Sequence, residues 1–490
     1  MKKILTFSAS FPRLVLTLLV GLTLLAGTQL THLQIDISAQ SMMVKTDPLW
    51  LTYQQSLETY GSDNVVIILL QDEDLFTPEK LQKIQDLNQN LLKLDFVSGS
   101  SSLFNVPNVK EVEGYIVTKA FLDTIPSQQQ ALDELLVSAA ANPMVINNLV
   151  SADGKTMAIN LFLDGAIHYP GRDSEITRAL EQQLQPMRQH FDTVFQMGSS
   201  YVRDAISEQI LQDQQLILPA ALATLIVVLG FSLKRLNCAI VPLTTALMSI
   251  VLTLCVMALL EVPVNVLTSI VPALLIIIGS TEDVHLLAEY HSGIEQPLSR
   301  PEAVARLPQT QSVAILLTFI TTFVGFMSIT VNDLELLSQF GWVVSMGLTL
   351  NFLITILFIP AYLQLFGSRQ SAKQHADNRY QRFARSIFHV VIRFKKTTLA
   401  ILLLTGAVFV WGAQFLQVNN NTLDYFAADS EVNIRAAKIH QQLSGMQTFS
   451  ILLDSSIEGT FLKVRYLQDI HQLQQFIEQR HAFDKTVSFA

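Results

Sequence analysis

The sequence predicts an α-helical integral membrane protein that carries an exported α+β domain, and three observations predict it. Half of the 490 residues are apolar and only 15% are charged, a balance that a water-soluble fold does not show. Apolar runs long enough to cross a hydrocarbon core of roughly 30 Å, about 20 residues each, recur near 12–30, 215–233, 237–260, 265–290, 310–330, 339–366 and 397–416. Between the first and second runs, residues 31–213 alternate polar and apolar residues in the manner of soluble strands and helices.

Taken in order, the first element is an anchor. Lys2 and Lys3 precede the first apolar run as they would in a secretory signal, but the run exceeds a signal core and "AGTQL" (26–30) is a poor cleavage site. Residues 1–30 therefore read as a cytoplasmic N-terminus and an uncleaved span. Orientation follows from the loops, because cytoplasmic loops hold the excess of Lys and Arg. Lys2, Lys3 and Arg13, then Lys234 and Arg235, then Arg300 and Arg306 mark one side, and the linker 367–396 adds eight basic residues against one Asp. The loops "EVPVN" (261–265) and "VNDLELLS" (331–338) are acidic without a basic residue. Residues 31–213 and 417–490 are then expected on the far side, the periplasm of a cell with an inner membrane. Cys238 and Cys255 both fall in the third span, so neither exported region has a disulfide available.

Within 31–213, "NVVIILLQ" (64–71) reads as a strand and "TPEKLQKIQDLNQNLLKL" (77–94) as a helix with Thr at the N-cap and Pro at N1. Residues 144–164 read as a hairpin turning at Asp153-Gly154. Residues 173–191 read as helix and 192–198 as strand, which suits ferredoxin-like βαββαβ units. Residues 214–366 form a five-span bundle.

The fourth span carries the chemistry. "IGSTEDVHLLAEYH" (278–291) puts Glu282, Asp283, His285 and Glu289 into an apolar run. An ionised carboxylate near a bilayer centre costs about 2.5–3.5 kcal/mol, so intramembrane acids face a protein interior or a wet cavity and mark ion or proton paths. At 100° per residue, Gly279, Asp283 and Tyr290 fall near one line, with Glu282, His285 and Glu289 on an adjacent stripe. Small Gly279 would admit a neighbouring helix to the acid. Asp283, Glu282 and His285 are the candidate proton relay, although His285 equally suits an imidazole bonded to a neighbouring helix. Glu289 and His291 suit the interface. Thr321 and Thr322 suit a relay or a back-bond within their own helix. His285, Glu289 and His291 do not share a face and HExxH is absent, so no metal site is expected; a nucleotide-binding loop is absent too. No enzymatic activity, cofactor or nucleic-acid partner is expected.

The chain also repeats. "LQID" (33–36) matches "LQVN" (416–419), and "ILLQ" (68–71) matches "ILLD" (451–454), both at an offset of 383 residues. "LQKI" (81–84) resembles "LQDI" (467–470), each opening an amphipathic helix. The span 397–416 reads as a second copy of the first, and 417–490 as the start of a second exported domain left unfinished.

A span, a large exported domain, five spans and the same again is the plan of the resistance–nodulation–division (RND) superfamily. This sequence resembles its MMPL-like exporters, with Patched and other sterol-sensing-domain proteins as more distant relatives. The residues that carry the resemblance are Gly279-x-x-x-Asp283 with Glu282, "LTFITTFVGFMSI" (317–329) with Thr321, Thr322 and Gly325, and "QFGWVVSMGLTLNFLITILFIPAYL" (339–363) with Gly341 and Pro360. It departs in having Val284 where many exporters place Tyr. The resemblance implies a half-transporter bundle of six spans, a seventh span and a partial second exported domain. It further implies proton-driven export of hydrophobic or amphiphilic molecules across a bacterial inner membrane, with membrane lipids, protons and the substrate as partners. The family's tenth span, which faces the fourth, has no counterpart in these residues. The six spans are then expected to show an unpaired face bearing Asp283, to be completed by a homodimer or a separately encoded second half. Competing expectations are a lipid- or sterol-sensing protein without transport, and an inactive fragment of a disrupted gene.

Overall fold

The computed structural model describes residues 1–36, 47–60, 63–112, 115–164, 169, 171–233, 236–295, 298–367, 379–416, 421–445, 451–455, 457, 459–480, 485, 486 and 488. Contacts divide the chain into two units, one built from residues 1–33, 213–332 and 336–421, the other from 34–212, 333–335 and 422–490. Among the described residues, seven helices are long and apolar enough to cross a membrane, and each overlaps one of the apolar runs.

The chain opens with α1 (Lys2–Ser10) and α2 (Pro12–Gly27), separated by Phe11. Pro12 at the start of α2 costs nothing there, because the first N–H groups of a helix have no carbonyl to bond. After α3 (Pro48–Tyr60) come β1 (Val65–Gln71), α4 (Pro78–Leu91), β2 (Val97–Ser101), β3 (Pro107–Val112), β4 (Tyr115–Ala120), α5 (Gln129–Ala141), β5 (Thr156–Leu163), α6 (Arg172–Leu184) and β6 (Thr193–Gly198). The main sheet has the order β2-β5-β1-β6 with every neighbour antiparallel. With the β3-β4 hairpin and α5 set aside as an insertion, this is a ferredoxin-like βαββαβ unit. Val66, Ile68 and Leu70 of β1 share one core with Leu81, Ile84 and Leu87 of α4 and Ile176, Leu180 and Leu184 of α6.

The expected hairpin over 144–164 is half right. Gly154 sits at φ +72° in a tight turn and Ser151 bonds across it to Thr156, so the turn stands where expected. The arm before it is not a strand. Ile146 and Leu149 donate to the carbonyls of Asn142 and Val145, four residues back, and Val150 alone bridges to Met157. The reason lies in the pattern: Val145 and Leu149 are four apart and both buried, a helical spacing rather than an alternation.

The bundle follows with α7 (Ser199–Leu233), α8 (Leu236–Leu259), α9 (Val271–Glu295), α10 (Arg300–Thr310), α11 (Ser312–Met327) and α12 (Glu335–Phe366), then α13 (Arg379–Arg393) and α14 (Lys395–Ala413). More than half of each apolar stretch in α8, α9 and α12 is buried, whereas almost none of the apolar stretch in α7, α11 and α14 is. The central three helices therefore form the core. Short α10 lies across one end of it. Ser299 and Glu302 form its capping box, and Arg300 donates to the carbonyls of Gln364 (3.2 Å) and Leu365 (2.9 Å) in the last turn of α12. That cation also satisfies carbonyls which the helix end leaves without a partner. The N-terminal α1 packs on α10, and the Ser8 hydroxyl donates to the carbonyl of Leu357. The N-terminus and residues 300–310 thus lie at the same end of the bundle, as the loop charges require.

The C-terminal residues contain α15 (Glu431–Gln442) and α16 (Val464–Glu478). Among the described residues they build no core of their own. The near-continuous apolar run of β1 buries Ile67 and Leu69 on the face opposite α4, and a strand apolar on both faces needs two covers. Helix α15 packs against β6 in that unit: Arg435 lies over the rings of Tyr201 (4.6 Å) and Phe195 (5.4 Å), and Lys438 donates to Thr193 at 2.9 Å. Residues 451–454, which match strand β1 in sequence, form no ladder among the described residues.

Candidate functional site

Three stripes at four-residue spacing meet inside the bundle. Helix α8 contributes Thr245, Ser249 and Thr253; α9 contributes Leu275, Gly279 and Asp283; α12 contributes Gly347, Asn351 and Thr355. Side chains four apart on a helix lie above one another on one face, so the stripes stack into layers. In the first layer, a β-carbon at Gly347 would lie 3.1 Å from both Leu275 and Thr253 Oγ1. In the second, the Ser249 hydroxyl donates to Asn351 Oδ1 at 2.8 Å, and a β-carbon at Gly279 would lie 2.6 Å from the Asn351 amide. The third holds the acid: Thr245 donates to Asp283 Oδ2 at 2.5 Å and Thr355 to Oδ1 at 2.7 Å. The pairing runs antiparallel between α8 and α9 and parallel between α9 and α12, as alternating spans must.

Asp283 is 1% exposed. The expectation of an acid on an unpaired face is therefore corrected. Its partners come from the third and sixth spans of the same bundle, because glycines at 279 and 347 let the three helices approach closely enough for short hydroxyls to reach a short carboxylate.

Glu282 is buried beside it in a different setting. Its Oε2 has no hydrogen-bond partner among the described residues. It lines a crevice of about 250 Å³, mouth included, together with Gly279, Asn351, Thr318, Thr322 and Phe319. Two adjacent carboxyls thus sit in unlike surroundings, one with a hydroxyl donor on each oxygen and one facing a small, mostly apolar gap that Ile278 and Leu348 also line.

Several sequence candidates do not join them. His285 is exposed and away from the acid, since the stripe it shares with Glu282 on a helical wheel splits between the core and the outside. Thr321 and Thr322 back-bond to Leu317 and Thr318 carbonyls, although Thr322 also lines the crevice. Gly325, expected as a helix-packing position, has nothing within 4 Å of its would-be β-carbon. Gly341 does bring α12 against the end of α11, 2.9 Å from the Phe326 carbonyl oxygen by the same measure, and Pro360 is buried within α12. Glu289 pairs with Arg306 at 2.9 Å and accepts from Gln311 at 3.2 Å, which ties the end of α9 to α10 and leaves it out of the acid site. No group of three or more metal-ligating side chains occurs among the described residues.

The residues that sequence reasoning missed are Thr245, Ser249, Asn351 and Thr355. The signal was present as small polar residues every four positions in the third span and again in the sixth, at the same interval as Gly279 and Asp283.

Two comparisons bear on this arrangement. The sequence profile of the MMPL family matches residues 49–393, a range that holds the ferredoxin-like unit and all three stripes. A membrane protein of Methanocaldococcus jannaschii is 20% identical over 377 residues, which cover 74% of this chain and 93% of that one.

Proposed function

The chain belongs to the MMPL family, an RND-type transporter family, and on that premise we propose that it couples the inward flow of protons to the export of hydrophobic or amphiphilic molecules, with Asp283 as the proton carrier. The observation that carries this reading is the buried Asp283 carboxylate, held at both oxygens by hydroxyls from two neighbouring spans.

The chemistry follows from what a hydroxyl can do. Each Thr hydroxyl has one hydrogen to donate and lone pairs to accept with. Facing an ionised Asp283, Thr245 donates to it. The same oxygen lies 3.0 Å from the carbonyl of Pro242 and 3.2 Å from that of Val241. When Asp283 gains a proton, it donates to Thr245 and the hydroxyl turns its own hydrogen to one of those carbonyls. Both protonation states are satisfied with no heavy atom moved far, so loading and unloading leave no buried group bare. Glu282, facing the crevice, is the adjacent station where a proton enters or leaves. The energy is adequate in size, because one charge moved through 100 mV is worth about 2.3 kcal/mol and a few protons bias a rocking transition. Rocking takes two bundles, so transport needs a second six-span bundle beside this one.

The test is reconstitution in vesicles with an imposed pH gradient, a trapped pH-sensitive dye and a fluorescent amphiphile. Wild-type protein acidifies the lumen in step with amphiphile movement. Asp283→Asn keeps the shape, accepts from one threonine and donates its amide to the other as the protonated acid would, but cannot titrate; it is expected to abolish both signals while insertion and the unfolding temperature stay unchanged. Full proton flux in the Asn variant would show that another group carries the proton, with Glu282 next in line.

A further inference from the structure

Helix α13 divides into two faces. At 100° per residue, Phe383, Ile387, Phe388, Val390 and Val391 fall in one half of its circumference, and Arg382, Arg385, Ser386, His389 and Arg393 fall in the other. These five apolar side chains are exposed, from 41% for Val391 to 66% for Phe383, and so is Ile392 (56%) at the boundary beside Arg385. The helix ends one residue before α14, a span with no buried residue, which opens on Lys395 and Lys396. The joint is Phe394, whose φ of −111° and ψ of 36° interrupt the helix.

The same construction stands at the N-terminus. Phe11 separates α1 from α2 with φ −122° and ψ 55°, and it lies 383 residues before Phe394, the offset of the sequence repeat. There the short helix is covered: Leu5 and Ser8 are fully buried, and α1 packs on α10. The positions 383 residues on from Leu5 and Ser8 are Phe388 and Val391, both on the exposed apolar face of α13. A second copy of this chain does not offer α13 that seat, because its α10 is already covered by its own α1.

We propose that α13 is an amphipathic anchor on the membrane surface that binds anionic phospholipid headgroups. Its apolar half enters the upper acyl region and its arginines meet lipid phosphates, which the planar guanidinium fits in pairs. Continuity with a span holds the helix at the surface, the break at Phe394 frees it from the axis of α14, and the basic half supplies the charge that anionic headgroups complement.

Nitroxide scanning of the full chain tests this. In a Cys238→Ala, Cys255→Ala background, Phe388→Cys or His389→Cys is labelled and reconstituted in phosphatidylcholine vesicles with or without phosphatidylglycerol. With phosphatidylglycerol, the label at 388 is expected to collide mainly with oxygen and the label at 389 with an aqueous nickel chelate. Arg382→Gln, Arg385→Gln and Arg393→Gln should each weaken that protection roughly fivefold, and added salt should do the same. The proposal is overturned if nickel reaches residue 388 equally in both vesicles. It is overturned as well if residue 388 is lipid-buried without phosphatidylglycerol to the same degree. Shielding of residue 388 from both oxygen and nickel would place a protein partner there instead.

Discussion

A β-carbon added at Gly279 would meet the Asn351 amide at 2.6 Å, inside any permitted contact. Either α12 retreats or Asn351 turns off the Ser249 hydroxyl and leaves a buried polar pair unsatisfied. Gly279→Ala is expected to cost about 1–3 kcal/mol, seen as a lower unfolding temperature in detergent, and to cut gradient-driven flux at least tenfold. Gly325→Ala, with open space around it, should change neither. The pair shows what a single sequence can disclose at this scale. Asp283 stands out because a charge in an apolar run is expensive wherever it points. Thr245 and Thr355 do not, because a hydroxyl in a span is cheap and satisfies itself on its own helix. Only the neighbour's position turns it into a ligand of the acid. His285 and Gly325 fail as candidates for the same reason, since a helical wheel fixes angles within one helix and not which side another helix takes.

Among the elements, the alternation of strand and helix in residues 64–198 was legible, and so was the ferredoxin-like order, because period-two and period-3.6 patterns are local. The β3-β4 insertion and the helical arm before the Gly154 turn were not, since short apolar runs suit either state until a partner selects one. Of the C-terminal helices, the one opened by "LQDI" (467–470) was legible, but α15 and its placement were not. The second apolar face of β1 and β6 gives α15 something to cover. Arg435 is the pin, buried to 11% side-chain exposure, stacked on Tyr201 and donating to the carbonyl of Gln196 at 3.0 Å. Arg435→Ala should cost about 2 kcal/mol and raise protease cleavage within residues 421–445 several-fold, with the ferredoxin-like unit still intact. Equal cleavage in both proteins would mean that the apolar residues Val432, Ala436 and Ile439 hold the helix alone.

For the whole molecule, seven candidate spans among the described residues, with α1 beside α10 at one end of the bundle and α15 on the same unit as the main sheet, lead us to expect one threading. Cysteines introduced at Ser100 and Ser430 should then be labelled from one side of the membrane, and one at Ser299 from the other; opposite labelling of Ser100 and Ser430 would break the scheme. The three stacked layers add a mechanical property. Layers four residues apart are about 6 Å apart along the axis. On α8 every tooth is a hydroxyl, Thr245, Ser249 or Thr253, so α8 can slip by one tooth past α9 and still present a donor to Asp283. On α12 the teeth differ, Gly347, Asn351 and Thr355, and the Asn351 amide fits only against the notch of Gly279. One seam behaves as a rack that can advance and the other as a keyed joint. Any slide along the axis is then expected between α8 and the α9–α12 pair, with Thr253 taking the place of Ser249 at Asn351.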